Sequence, residues 1–75
     1  MNNADVTKPT PAQLVVLNTV RMLRLKHSYG PTVGEVAKAM KMHKETVNSH
    51  LRALRAKGYL KVAQGGYGFI PTESA

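Results

Sequence analysis

The chain has 75 residues and no cysteine, with eleven Lys+Arg against four Asp+Glu, a formal charge of +7 and a pI near 10.2. That length allows one domain with a small core, and the lack of cysteine excludes disulfides and thiolate-held zinc as staples. His27, His43 and His50 lack i, i+4 spacing, no apolar run nears the roughly 18 residues of a membrane span, and the N-terminus has no signal-peptide core, so we expect a soluble, cytoplasmic chain with no metal, cofactor, small-molecule ligand or membrane.

Residues 1–10 carry Asn, Asp, Thr and Pro with a single aliphatic, Val6, and are expected to form a flexible arm. Thr10-Pro11-Ala12-Gln13 has the pattern of a helix start: Thr10 caps, Pro11 suits the first helical position, and Gln13 completes a capping box. This first helix should run to about Ser28. Tyr29-Gly30-Pro31 should end it, with Gly30 taking a tight turn and Pro31 biasing its predecessor away from helix.

Thr32-Val33-Gly34-Glu35 repeats the capping-box pattern. A short second helix follows through Met40, with Val33, Val36, Ala37 and Met40 on one side. Lys41-Met42 make a tight connection, His43 or Lys44 opens the third helix, and Gly58 ends it. Met40 and Met42 are most simply read as core fillers. After Gly58 the period changes from helical to alternating. Tyr59–Ala63, the Gln64-Gly65-Gly66 turn and Tyr67–Ile70 spell a short β-hairpin, and residues 71–75 are expected to be a disordered tail. The fold class is therefore mainly α with a small β-hairpin, one domain over residues 11–70.

The charge is concentrated in that domain. All cations except Lys8 lie between Pro11 and Ile70, where Glu35 and Glu45 are the only acids. Such a balance points to a polyanionic partner, nucleic acid before anionic membrane. On a helical wheel of the third helix, Val47, Leu51 and Leu54 fall together, with His50 at their edge as a half-buried ring. Glu45, Asn48, Ser49 and Arg52 gather on the far side. These residue types suit base edges in a major groove, where Arg pairs with guanine and Asn with adenine. His43, Lys44, Thr46, Arg55 and Lys57 suit phosphates, which position a protein without reading sequence. Taken singly, an exposed Arg is no more than a solvated side chain, and Glu45 is as well suited to an intrahelical bridge with Arg52 or Ser49.

The first helix is apolar on more than one face. Val16, Leu17, Val20 and Leu23 form a core stripe, whereas Val15 and Met22 fall nearly opposite, flanked by Leu14 and Leu25. Either this second face is a homodimer or partner interface, or the arm or the hairpin folds over it.

The run AKAMKMHKETVNSHLRALRAKGYLKV resembles the winged helix-turn-helix of bacterial transcription regulators. Ala37, Met40, Met42, Thr46, Val47, His50, Leu51, Leu54, Lys57, Gly58 and Leu60 match its pattern in kind, and GPTVGEVAKAM is similar to the second helix of the LexA-type DNA-binding domain. The resemblance implies three helices plus a short wing, the third helix in the major groove of double-stranded DNA, and wing contacts to phosphate from Lys61, Gln64 and Tyr67. It implies a small regulator, such as a repressor. Lys41 departs from the glycine usual at the turn; a left-handed backbone there would cost about 1 kcal/mol. No Ser/Lys protease half is present, so self-cleavage does not carry over.

The sequence holds no nucleophile–base pair, phosphate-binding glycine loop or paired carboxylates, so we do not expect an enzyme. Three other roles share some of these features: an architectural factor in recombination or replication, a winged-helix protein adaptor, and an RNA binder, the last disfavoured by few aromatics.

Overall fold

A computed structural model describes residues 8–63 and 68–72. Residues 1–7 of the arm, the Gln64–Tyr67 tip of the hairpin and residues 73–75 lie outside the described residues. The elements in order are helices α1 (Pro11–His27), α2 (Val33–Met40) and α3 (Lys44–Ala56), then strands β1 (Leu60–Val62) and β2 (Phe69–Pro71).

Both predicted capping boxes form. Thr10 Oγ1 accepts from the Gln13 N–H at 3.1 Å while Gln13 Oε1 accepts from the Thr10 N–H at 3.0 Å. Thr32 and Glu35 exchange the same pair at 3.2 and 2.8 Å. Each box satisfies two backbone donors that a helix start would otherwise leave unpaired, and so fixes where α1 and α2 begin.

The core gathers the apolar stripe of every element. Val16, Leu17, Val20 and Leu23 of α1, Val36 and Ala37 of α2, Val47, Leu51 and Leu54 of α3, and Leu60 of β1 are buried together, with Val33, Met40, Tyr59 and Phe69 packed at their edge. Met42 does not join them; it is exposed beyond the turn, because the chain has already reversed at Lys41.

That reversal is a Schellman motif. Lys41 is left-handed (φ 57°, ψ 44°), its N–H donates to Lys38 O at 3.3 Å, and the Met42 N–H donates to Ala37 O at 3.0 Å. α3 ends in the same motif with glycine in the left-handed place. Gly58 has φ 88°, its N–H donates to Arg55 O at 3.1 Å, and the Tyr59 N–H donates to Leu54 O at 2.9 Å.

Gly30 is not the residue that turns α1. Ser28 is, with φ 65°. Gly30 is buried where the α1–α2 loop meets β2: a Cβ on it would lie 2.7 Å from Phe69 O, and one on Gly68 would overlap Gly30 O. The Phe69 N–H donates to Pro31 O at 2.9 Å, so two backbones touch at this crossing. The absence of side chains allows the approach.

The strands pair antiparallel with Leu60 opposite Pro71, Lys61 opposite Ile70 and Val62 opposite Phe69. The expected tail does not begin at residue 71. Pro71 belongs to β2, and Thr72 is tied back by its N–H to Tyr59 O (3.0 Å) and its hydroxyl to Gly58 O (2.7 Å). Proline is tolerated here because a two-stranded sheet consists of edge strands.

Candidate nucleic-acid interface

α3 is held by its three buried aliphatics and turns its polar face out. Glu45, Ser49 and Arg52 are exposed and Asn48 is half-buried. Their spacing of i, i+3, i+4 and i+7 aligns them along one side of a regular helix. From Glu45 to Arg52 the rise is about 10 Å, the length of roughly three base pairs. Among the described residues, none of the four side chains makes a hydrogen bond or ion pair, so the alternative bridge from Glu45 to Arg52 or Ser49 does not form. Four free polar groups on a fixed rod constitute a surface prepared for an outside partner.

His43 occupies the N-cap of α3 with extended backbone, but its side chain makes no capping bond and stays exposed. Thr46 and Arg55 are exposed on the flanks, and Lys61 points out of β1. Lys44 is more informative. Its Cε would lie 3.4 Å, and its Nζ 3.8 Å, from a Cβ placed on Gly34. The side chain therefore reaches across to the first turn of α2. This brings an ammonium beside the partly positive amino-terminal end of that helix, a pairing of charge that favours an anion. Helical periodicity within α3 carries no trace of it, because the partner position lies ten residues upstream. Gly34 is small enough to let the lysine lie there.

Lys57 is placed differently from the other cations. It is half-buried, and its Nζ donates to Lys8 O at 2.9 Å and to Gln13 Oε1 at 2.8 Å. The amine thus clamps the end of α3 to the start of α1 and is already engaged within the chain. Gln64 and Tyr67, the other expected wing contacts, lie outside the described residues. His50 is half-buried at the edge of the core face, as its wheel position indicates.

Glu35 has a perturbed carboxyl. Its carboxyl is held below the ordinary value of 4.5, chiefly by the Thr32 N–H, with help from the Tyr29 hydroxyl at 3.2 Å and the charge of His27. Its role is to cap α2. Among the described residues no cluster of three or more His, Cys, Asp or Glu is suited to a metal, and no helix is long and apolar enough to cross a membrane.

Residues 6–66 match the family model of the LexA DNA binding domain, a stretch that takes in all three helices and β1. No curated protein and no solved structure matches the chain significantly. The three helices and antiparallel hairpin have the architecture of that family, a winged helix-turn-helix.

Proposed function

We propose that this chain, which belongs to the LexA DNA-binding domain family, is a sequence-specific regulator of transcription that reads duplex DNA with α3. The single observation carrying the reading is the row Glu45, Asn48, Ser49 and Arg52, free of internal partners on the outer side of a helix anchored by Val47, Leu51 and Leu54. In the major groove Arg52 pairs bidentately with a guanine and Asn48 with an adenine. Glu45 accepts from a cytosine amine, and Ser49 bonds whichever edge faces it. His43, Lys44, Thr46 and Arg55 hold phosphates on either side, Lys44 acting together with the α2 amino terminus, and Lys61 adds a contact from the wing. Bound at a promoter, such a domain represses by occupying the site that the transcription machinery needs.

Selection from a random duplex library, followed by competition binding against random-sequence DNA, tests this reading. A regulator prefers its selected site by about 10³-fold or more. Equal affinity for both would leave an architectural DNA binder, and no binding at moderate salt would leave an adaptor. Arg52→Ala is expected to cost about 1–3 kcal/mol and to relax preference at one base position. Lys44→Ala should weaken all sequences alike and flatten the salt dependence by about one unit. Unchanged affinity and preference in Arg52→Ala would remove the base-reading role of α3.

A further inference from the structure

Among the described residues nothing covers the outer face of α1. Leu14, Val15, Met22 and Leu25 are 44, 54, 59 and 84 % exposed, and neither strand of the hairpin covers them. Single exposed aliphatics are ordinary. Four on one side of one helix make a stripe about 16 Å long.

One turn beyond Met22, Lys26 lines a cleft of about 420 Å³ between α1 and α2, together with Leu23, His27, Glu35, Lys38 and Ala39. The one carboxylate in that cleft, Glu35, already accepts from the Thr32 N–H and the Tyr29 hydroxyl. The charge left at the rim is positive, from Lys26 and Lys38, and exposed Arg21 stands on the other flank of the stripe.

A second copy of the chain fits this surface poorly. α1 contains no acid, so a second copy's α1 offers the flanking cations Arg21 and Lys26 no carboxylate partner, and each protomer carries a formal charge of +7. Four side chains also cover far less than the roughly 800 Å² per partner of a stable interface. Nor does DNA suit an apolar stripe.

We propose that the stripe and cleft together dock an acidic amphipathic helix of a partner protein. Its apolar side packs on Val15, Met22 and Leu25, and its carboxylates reach Arg21, Lys26 and Lys38. α1 and α3 pack on each other through the core, and each turns its outer face away from it. The partner and the DNA are therefore held at the same time on separate surfaces.

The test is an NMR titration of the full, isotope-labelled chain with two designed helical peptides. Both carry leucines at helical spacing; one has glutamates on its flanks, the other lysines. The acidic peptide should shift amides along the outer side of α1 and the second half of α2, and the lysine twin should shift none. Leu25→Gln and Met22→Gln, both at exposed positions, should weaken the acidic peptide by about tenfold and leave duplex affinity unchanged. Lys26→Glu should weaken the acidic peptide and admit the lysine twin. Equal response to both peptides, no response, or shifts confined to α3 would overturn the proposal. So would a dimer in sedimentation that Leu25→Gln dissolves, or binding to anionic vesicles lost in the same variant. The peptide arm reads out whether or not α3 binds DNA, so the two readings fail separately.

Discussion

Lys41 sits in a left-handed backbone that an L side chain adopts at a cost of about 1–2 kcal/mol. Its side chain is exposed and makes no hydrogen bond among the described residues, so replacing it forfeits no contact. Glycine removes the steric cost but widens the unfolded ensemble by about 0.4–1 kcal/mol. The net expectation for Lys41→Gly is a gain of about 0.5–1 kcal/mol, which in a domain this size raises Tm by about 2–8 °C. Lys41→Ala is the control. It removes the same charge yet keeps a Cβ in the left-handed region, so it should melt with the wild type. Asn should fall between Gly and Ala, and Val below both. Thermal unfolding of the series by circular dichroism measures the order. The two Schellman hydrogen bonds survive in every variant, so the angle between α2 and α3 is kept and the Gly and Ala variants should bind DNA equally. If they melt at the same temperature, the strain assigned to this turn is absent and the argument from its backbone angles is refuted.

Gly30→Ala places a methyl 2.7 Å from Phe69 O and should cost about 1–3 kcal/mol in urea denaturation, with the wing displaced before the helices. Lys57→Met keeps the stem and removes the amine bonded to Lys8 O and Gln13 Oε1, at a cost of about 1 kcal/mol. If that amine is an internal clamp and not a phosphate contact, the salt slope of DNA binding stays unchanged. Glu35 binds its proton less readily folded than unfolded, so the stability it contributes is complete above pH 4.5 and is lost as pH falls through its lower folded value. The difference in stability between wild type and Glu35→Gln should therefore shrink on acidification through that window; a difference constant in pH would contradict the assignment.

Much of the architecture was legible because its causes are local. A Thr with Gln or Glu three residues on marks a helix start within a single turn, and both boxes formed as expected. The spacing of Val47, Leu51 and Leu54 likewise decides which side of α3 faces the core and which remains wet. What escaped is what depends on distant chain. Gly30 has the look of a turn residue, yet its use is to let Phe69 approach, 39 positions away. Lys57 belongs to the same basic run as Arg52 and Arg55, but its partners stand more than 40 residues upstream. Ser28 adopts left-handed backbone without glycine, so composition leaves it unmarked; Lys41 does the same, but there the helix-turn-helix pattern had already marked the position as one where glycine is usual. Thr72 follows a proline in a polar stretch, and its two bonds depend on the hairpin having closed. The polar face of α3 was visible; the seating of Lys44 beside Gly34 became so only once α2 and α3 were folded against one another.

β2 is stitched on both edges, to β1 through the ladder and to the α1–α2 loop through Phe69 and Pro31. The three helices therefore do not amount to a finished domain by themselves. Cutting the chain before Phe69 would strip away a brace at once from the loop that launches α2 and from the junction where α3 ends, so α3 would lose its support at two points though none of its own residues had changed.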